Sequence, residues 1–485
     1  MERDGLDLLV VGGGITGAGI VRDAAMRGLR AGLVERGDFA SGTSSRSSKL
    51  IHGGVRYLEQ GEIALVREAA VERAILRRIA PHLAIRAHMV MPVHGRTSAG
   101  LLKLRAGLWA YEKLVHLEEG ERHETWDREE TIRRVRGIET ERLQGAAVFT
   151  EYVTDDARLV IETLKSARRH GARLANHAPA TRLEPLGAGR MRATVRDETC
   201  GREISFECGA VVNAAGPWVD AVRRLGGEAK PRMHLTKGIH LVVPRDRLPL
   251  DDVLVMRAAD RRSVFIVPHD AITWIGTTDT DWLDPVERPT IGRDDVDYLL
   301  DATNRILPTA RIGHADVSGA WAGVRPLLHQ EGKSPSEISR RDEVMEEPGG
   351  LLSIAGGKLT TYRVMAERVV DQVVARGGFR AGPCRTADEA LVAPGEPVVP
   401  PVRTSLSDDE VRYAIDEECA LDLADVLERR ARINFFAPDQ GRGDAERVAG
   451  VMASRLGWDG ARQAREVASY RARVAEDLAW REGSA

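Results

Sequence analysis

The 485-residue chain has few of the features that mark disulfide-rich, metal-binding or membrane-spanning proteins. Its four cysteines, Cys200, Cys208, Cys384 and Cys419, form no CxxC pair. That argues against zinc and iron–sulfur sites and fits free thiols in a reducing compartment. No apolar run reaches the roughly 18 residues of a transmembrane helix, and the N-terminus lacks a signal-peptide pattern. We therefore expect any membrane contact to be peripheral.

An excess of either charge is also lacking. The net charge is -3, so we expect no nucleic-acid partner. Hydrophobic residues make up 43% of the chain and charged residues 29%, which is ordinary globular composition. The length predicts two or three domains. Lysine is scarce, yet three of the eight lysines (Lys49, Lys237 and Lys358) fall inside the motifs described below.

A glycine-rich turn follows the first apolar segment. Residues 6–11 predict a buried strand, and Gly12, Gly14 and Gly17 separate it from a helix that runs to about Arg27. A second strand at 31–35 ends at Glu35, where a carboxylate can accept hydrogen bonds from ribose hydroxyls. This arrangement predicts dinucleotide binding, with the pyrophosphate at the helix N-terminus. The motif alone does not decide between NAD and FAD.

Later segments predict further elements. Residues 62–79 and 155–171 have helical periodicity, and residues 238–280 alternate like antiparallel strands. Residues 351–376 predict a strand, a glycine turn and a helix. A proline-rich stretch at 394–401 predicts a linker, and residues 405–485 predict a small helical domain.

The segment at 43–58, TSSRSSKLIHGGVRYL, adds a more specific signal. Together with the glycine turn, it resembles the FAD-dependent (aerobic, quinone-linked) glycerol-3-phosphate dehydrogenases of the D-amino-acid oxidase-like flavoprotein superfamily. Further motifs agree in order and spacing: DDARL at 155–159, VNAAGPW at 212–218, KGIHLVVP at 237–244, IGTTD at 275–279, AGVRPL at 322–327 and GGKLTTY at 356–362. Two departures are Ala322, where some members carry serine, and the paired Arg340 and Arg341, where one arginine is usual.

The resemblance implies an α/β fold with three parts. A Rossmann-like FAD-binding domain is expected from residues 1–85, 150–230 and 315–390. An inserted antiparallel-sheet substrate domain is expected from 86–149 and 231–314, and a C-terminal helical domain from 402–485.

It also implies oxidation of sn-glycerol 3-phosphate to dihydroxyacetone phosphate, with these residue roles. Arg325 and His52 are the expected catalytic residues. The expected substrate ligands are Arg56, Tyr57, Arg340 and Lys358. The expected cofactor ligands are Gly12, Gly14, Gly17, Glu35, Thr43, Ser44, Ser45, Lys49, Gly216, Gly357, Thr360 and Thr361. The alternatives are ordinary ion pairing for the arginines and a structural hydrogen bond for His52.

The resemblance further implies a quinone acceptor and a cytoplasmic protein attached peripherally to the inner face of the cell membrane. Residues 101–115 combine apolar and aromatic residues with Lys103, Arg105 and Lys113, which suits a membrane interface or a helix packed on its own domain. An oxygen-using oxidase and a flavin-binding scaffold without turnover are the other functions considered. The oligomeric state stays open, with a homodimer among the alternatives.

Overall fold

A computed structural model describes residues 5–53, 62–95, 97, 99–114, 121–227, 230–260, 262–329, 342–399 and 405–481. Its strands are β1 (Leu6–Val11), β2 (Ala31–Val34), β3 (Leu50–Ile51), β4 (Ile85–His94), β5 (Glu124–Trp126), β6 (Leu143–Val153), β7 (Arg173–Ala175), β8 (Ala180–Gly187), β9 (Arg190–Arg196), β10 (Glu203–Asn213), β11 (Met233–Pro244), β12 (Val253–Arg257), β13 (Ser263–His269), β14 (Ile272–Gly276), β15 (Thr280–Asp281), β16 (Gly319–Leu328), β17 (Glu343–Glu346) and β18 (Leu352–Ala355).

The α-helices are α1 (Ile15–Met26), α2 (Ile63–Ile79), α3 (Ala99–Leu114), α4 (Arg128–Arg134), α5 (Asp156–Arg169), α6 (Val219–Leu225), α7 (Arg293–Ile306), α8 (Tyr362–Gly377), α9 (Asp408–Glu418), α10 (Ile433–Phe436), α11 (Ala445–Leu456) and α12 (Gly460–Glu476). Short 3₁₀ turns include Thr43–Ser45, Gly216–Trp218 and Leu359–Thr361, and Asp425–Arg430 forms a π-helix. The helical periodicity at 62–79 and 155–171 is thus confirmed as α2 and α5.

The first sheet has the strand order β17-β18-β10-β1-β2-β7. Its centre is parallel, because β1 pairs in parallel with both β10 and β2. Helices α1, α5 and α8 cover one face and share a core that contains Ala18, Ala157 and Val369. Small residues permit this packing: a Cβ on Gly19 of α1 would lie only 2.8 Å from the Tyr362 ring. The predicted Rossmann-like α/β architecture is confirmed.

The second sheet has the order β15-β11-β14-β13-β12-β4-β6-β3, with β16 added beside β11 and β5 beside β6. Its pairings are antiparallel except for β12 with β4, which is parallel. Helix α7 packs on this sheet through a core that includes Val296, Leu299 and Ile239.

Three strands that lie wholly or partly in the expected FAD-binding segments pair within the second sheet. The expected FAD-binding segment at 315–390 includes β16, yet β16 pairs along its length with β11 of the second sheet. The end of β6 (150–153) and the short β3 also pair within the second sheet. Continuous backbone hydrogen bonding assigns these strands to the second sheet. The chain therefore crosses between the two sheets inside the segments that the sequence assigned to the FAD-binding domain.

The C-terminal domain comprises helices α9–α12 and the π-helix. It has its own core, which includes Val411, Leu427, Val448 and Tyr470. The domain is not isolated, because Phe435 and Phe436 of α10 join a cluster with Trp274 and Trp321 of the second sheet. The predicted helical C-terminal domain is confirmed, and it docks against the rest of the chain.

Candidate functional site

The glycine turn after β1 is shaped by backbone contacts that leave no room for side chains. Gly12 has a φ of 116°, and a Cβ there would lie 2.6 Å from the Ala214 carbonyl oxygen at the end of β10. A Cβ on Gly17 would lie 1.9 Å from the Gly12 carbonyl oxygen. The turn therefore brings the N-terminus of α1 against the ends of two parallel strands. Such a helix end, with its first N–H groups directed away from the helix, suits a pyrophosphate.

Glu35 follows β2 at the same end of the sheet. Its Oε2 accepts a hydrogen bond from the Gly13 N–H (2.7 Å), and its Oε1 accepts one from the Gly37 N–H (2.9 Å). Burial raises the pKa of this carboxyl, and the two N–H donors oppose that rise. The side chain is thus fixed beside the turn, in the position from which an acid accepts hydrogen bonds from ribose hydroxyls.

A cavity of about 590 Å³ extends from this turn towards the second sheet. Seven of the residues expected to bind cofactor line it: Gly12, Gly14, Glu35, Thr43, Ser44, Gly216 and Gly357. Lys358, expected to bind substrate, lines it as well. Glycine turns that a Cβ would fill, a helix N-terminus and a fixed carboxylate fit an FAD molecule. These residues would hold its pyrophosphate and adenosine ribose.

The other expected cofactor residues do not line the cavity. Gly17 lies behind the glycine turn. Ser45 and Lys49 face inward, where the Lys49 Nζ donates to the Ser45 carbonyl oxygen and to Asp156 Oδ1, both at 3.0 Å. Thr360 and Thr361 are buried in the turn that follows Lys358. These residues pack behind the residues that line the cavity. The geometry therefore favours a role in positioning that lining rather than direct contact with the cofactor.

Lys49 is part of a buried charged cluster. Burial and the Arg432 guanidinium lower the pKa of Lys49 to about 8, although Asp156 opposes the change. Burial raises the pKa of Asp156, but Lys49 and Arg432 outweigh it and hold that pKa below its usual value. Asp156 also accepts a hydrogen bond from the Ser47 hydroxyl (2.6 Å), and Ser47 lines the cavity. The cluster therefore anchors one cavity wall.

Arg325 lies on β16 beside the cavity. Its Nη1 contacts Asp279 Oδ1 at 3.2 Å, and its Nη2 donates to the Thr277 hydroxyl at 2.8 Å. The next residue, Pro326, lines the cavity. Gly238 makes room for the guanidinium, because a Cβ there would lie 2.2 Å from Nη2. Arg325 is thus held by two partners at the second-sheet end of the cavity.

His52 is joined to the turn that carries Lys358. Its N–H donates to the Thr360 hydroxyl, and that hydroxyl is also 3.3 Å from the His52 carbonyl oxygen. The structure therefore brings His52 next to the Lys358–Thr361 turn. Three expected substrate ligands, Arg56, Tyr57 and Arg340, lie outside the described residues.

Sequence reasoning missed several residues around the cavity. Arg36, Trp218 and Glu198 also line it. Trp218 ends the VNAAGPW motif, whereas no local pattern distinguishes Arg36 and Glu198 from ordinary charged residues. The partners of Arg325 were detectable, because Thr277 and Asp279 belong to the IGTTD motif that supported the family resemblance. Their role required knowing that β11 lies between β14 and β16 in the sheet.

A second charged group lies outside the cavity lining. Asp38, His177 and Asp425 each offer an atom within 4.8 Å of the others, a spacing that a metal ion would accept. Arg429 and Arg430 already contact Asp38, and Arg429 contacts Asp425. The carboxylates are therefore neutralised by guanidinium groups, and the cluster is an ion-paired network.

Helix α3 covers most of the candidate membrane segment. Leu108 and Tyr111 are buried, whereas Leu102 and Trp109 are each 58% exposed. The Lys113 ammonium lies 5.8 Å from the Trp109 ring centroid. One face therefore packs on the protein and another presents apolar and basic side chains. Among the described residues, no helix combines the length and hydropathy needed to cross a bilayer.

Comparison with known proteins agrees with this geometry. Residues 7–370 match the family described as FAD dependent oxidoreductase, and residues 386–463 match the C-terminal domain of alpha-glycerophosphate oxidase. The aerobic glycerol-3-phosphate dehydrogenase of Staphylococcus aureus is 40% identical over 399 residues, which cover 81% of this chain and 72% of that protein. The corresponding protein of Staphylococcus haemolyticus is also 40% identical, over 78% of this chain and 68% of its own.

Solved structures give the same result. The glycerol-3-phosphate dehydrogenase from Bacillus halodurans complexed with FAD is similar with a TM-score of 0.79 and 29% identity, covering 99% of this chain and 96% of its own. Glycine oxidase from Geobacillus kaustophilus shares the fold, with a TM-score of 0.58 and 21% identity over 76% of this chain and 95% of its own.

Proposed function

Because the chain belongs to the FAD-dependent oxidoreductases, and within them to the aerobic glycerol-3-phosphate dehydrogenase family, we propose that it oxidises sn-glycerol 3-phosphate to dihydroxyacetone phosphate. Bound in the cavity, FAD supplies the hydride acceptor. The protein then has to hold a phosphate dianion, orient the reacting carbon and accept a proton from its hydroxyl. The charged residues at the second-sheet end of the cavity suit these three tasks.

The observation that carries the proposal is the fixed guanidinium of Arg325. Asp279 and Thr277 restrict its orientation, and a restrained donor needs little reorganisation during the reaction. Arginine stays protonated, so it is a poor base. Its role is to stabilise the negative charge that develops on the substrate oxygen as the proton leaves. One such donor contributes roughly 3–4 kcal/mol to lowering the barrier.

His52 is the proposed proton acceptor. An imidazole titrates near neutral pH, which suits general-base catalysis. Its backbone contact with Thr360 keeps it beside the turn that carries Lys358. A substrate bound between His52 and Arg325 would meet a base and a cation on its reacting hydroxyl.

The phosphate is proposed to bind Lys358, with Arg56, Tyr57 and Arg340 as further ligands. Lysine and arginine are the side chains that recognise phosphate, through an ammonium charge and a planar fork respectively. Lys358 is half-buried in the cavity wall, which strengthens its attraction for a dianion.

Comparing glycerol 3-phosphate with glycerol tests this arrangement. Both offer the same secondary alcohol, so the proposal predicts that removing the phosphate raises the concentration needed for half-maximal flavin reduction by more than a hundredfold.

Lys358→Met should raise the KM for glycerol 3-phosphate by about 10–100-fold, which corresponds to the loss of a hydrogen bond to a charged group. The matched control is Lys230→Met, because Lys230 is exposed before β11 and lies outside the cavity lining. Equal reduction by both alcohols would contradict the proposal.

We also propose that the electrons pass to a membrane quinone and that α3 contributes to peripheral attachment at the inner face of the cell membrane. Exposed Leu102 and Trp109 beside basic Lys103 and Arg105 support this, because apolar insertion and attraction to anionic lipid act together. Sedimentation with anionic vesicles should fall at least fivefold in Leu102→Ser/Trp109→Ser, with glycerol 3-phosphate oxidation by a soluble dye unchanged.

The alternative acceptor is oxygen. A dehydrogenase predicts little peroxide in air and fast reduction of a soluble quinone. An oxidase predicts one peroxide for each glycerol 3-phosphate consumed. Measuring peroxide and quinone reduction in parallel on the purified holoprotein separates the two.

A further inference from the structure

We propose that the C-terminal domain forms part of the FAD site, because Arg429, Arg430 and Arg432 fix the two loops that line the cofactor cavity. The first loop, called here the ribose loop, is residues 35–38. The second, called the flavin loop, is residues 43–49. The proposal rests on the cofactor cavity and is independent of which substrate reduces the flavin.

The ribose loop is held at Asp38. Its carboxylate contacts Arg429 Nε at 2.5 Å and Arg430 Nη1 at 2.6 Å, with Arg430 Nη2 at 2.8 Å. Asn176 adds a fourth donor at 2.9 Å. Asp38 lies three residues after Glu35, and the Gly37 N–H between them donates to the Glu35 carboxylate. Displacing Asp38 would therefore move the residue expected to hold the ribose.

The flavin loop is held by Arg432. Its Nη2 donates to the Ser45 carbonyl oxygen (3.2 Å) and contacts Asp156 Oδ1 (3.1 Å). Lys49 contacts the same two oxygens. Asp156 in turn accepts hydrogen bonds from the Ser47 N–H and hydroxyl. One guanidinium from the C-terminal domain thus contacts the loop backbone directly at Ser45 and, through Asp156, at Ser47.

Unusual backbone geometry positions the side chains of Arg429, Arg430 and Arg432. Arg429 and Arg430 end a π-helix, a rare geometry that recurs at functional sites. Arg432 then adopts a φ of 61°, which is uncommon for a residue with a side chain. The Phe435 ring packs 4.6 Å from the Arg432 guanidinium and 5.0 Å from the Lys49 ammonium.

Arg432 is buried although its guanidinium is incompletely hydrogen-bonded. It is 1% exposed, and its Nε and Nη1 have no hydrogen-bond partner among the described residues. A buried, incompletely paired guanidinium costs free energy. Its charge is needed here because Asp155 and Asp156 would otherwise outnumber Lys49 in a buried cluster. The same guanidinium contacts Ser45 and Asp156, so the free energy that its burial costs is spent on holding the flavin loop in place.

This arrangement couples docking of the C-terminal domain to cofactor affinity. Loops that are held in the FAD-binding conformation before binding lose less conformational entropy when FAD arrives. The coupling is reciprocal, so bound FAD must strengthen docking of the C-terminal domain by the same factor. A domain that only packs on the surface would show neither effect.

The experiment measures the dissociation constant of FAD for the deflavinated full chain by quenching of flavin fluorescence. Arg430→Gln and Arg432→Gln are each expected to weaken FAD binding at least tenfold, and Arg432→Lys to recover part of that loss. The matched control is Arg455→Gln, because Arg455 is an exposed arginine of the same domain paired with Asp416 at 2.7 Å. The control should bind FAD within twofold of the unmodified protein.

Folding of the apoprotein is followed by circular dichroism and thermal unfolding. Variants that fold and bind FAD as tightly as the control would overturn the proposal. If the glutamine variants fail to fold, hydrogen exchange on the unmodified protein decides. Saturating FAD should then slow exchange of the amides at 425–436 at least tenfold, and equal exchange with and without FAD would overturn the proposal.

Discussion

The two ends of the cavity are formed by different kinds of groups, backbone at one end and charged side chains at the other. At the glycine-turn end, backbone amides and close backbone contacts at Gly12 and Gly17 shape the site. Away from the glycine turn the residues that matter are charged: Arg325 lies on β16 next to Pro326 of the lining, and Lys358 lines the cavity from the turn after β18. The first end depends mainly on backbone groups and on the glycines that let them approach closely, and the second depends on charged side chains. Substitutions at the glycine-turn end should therefore lower FAD affinity, and substitutions at the other end should lower the rate of substrate oxidation.

The largest expected effect is at the second-sheet end. Arg325→Met should lower kcat by about 10²–10³-fold, because the developing oxyanion loses an oriented donor. FAD content should stay unchanged, since Arg325 lies on β16 of the second sheet, where it contacts Asp279 and Thr277. Steady-state kinetics with a soluble acceptor, combined with the flavin-to-protein absorbance ratio, measure both. A variant that loses FAD together with activity would contradict the separation of the two ends.

The opposite pattern is expected at the glycine turn. Gly17→Ala places a Cβ 1.9 Å from the Gly12 carbonyl oxygen, so the turn must shift. Such overpacking typically costs about 1–3 kcal/mol. We expect FAD affinity to fall about 10–100-fold, with kcat nearly unchanged once FAD is saturating. Gly107→Ala is the matched control, because Gly107 also lies within a helix and a Cβ added there has no described atom within 4 Å.

A smaller effect is expected at the partner of Arg325. Asp279→Asn keeps the shape of the side chain and removes its charge, which loosens the guanidinium. We expect kcat/KM to fall about tenfold, the equivalent of roughly 1.4 kcal/mol. The paired Arg325→Met/Asp279→Asn protein should be no worse than Arg325→Met alone, as a double-mutant cycle can show. Additive losses would mean that Asp279 acts independently.

The two ends also differed in how far the sequence predicted them. Gly12, Gly14 and Glu35 fall within one strand–turn–helix unit, so local spacing sufficed to place them at a nucleotide site. Lys49 looked equally local, but its ammonium turned inward to Asp156, which lies 107 residues further along the chain. The pairing of β16 with β11 was beyond sequence reasoning for a similar reason, because it is a long-range contact that periodicity does not encode. Long-range ion pairs and strand pairings were the parts beyond sequence reasoning.

The smallest expected effect is the pH dependence of stability that arises from His177, which lies beside the ribose loop. Burial alone would lower the pKa of His177, but the Asp425 carboxylate at 3.1 Å raises it to about 9, with Asp422 and Asp38 acting in the same sense. A raised histidine pKa adds stability that is complete below about pH 6.5 and is lost as pH rises through 9. The unfolding midpoint should therefore fall by about 2–4 °C between pH 6.5 and 9.

His177→Gln should reduce this decline. Asp422, whose pKa burial and Asp425 raise to about 8, adds a decline of the same sign up to that pH. The two contributions separate above pH 8. Lys49, whose pKa is lowered to about 8, adds stability there as pH rises in both proteins, so the His177→Gln variant should show no decline between pH 8 and 9. Differential scanning calorimetry of both proteins across this range measures the difference, and parallel curves would mean that His177 is neutral in the folded protein.

The most direct test of the central claim is an anaerobic titration of the purified holoprotein with sn-glycerol 3-phosphate. A dianionic alcohol held beside Arg325, His52 and Lys358 should bleach the oxidised flavin absorbance with an endpoint near one substrate per flavin, and dihydroxyacetone phosphate should accumulate in equal amount. An absorbance that stays unchanged, while an amino acid such as glycine reduces the flavin, would contradict the account.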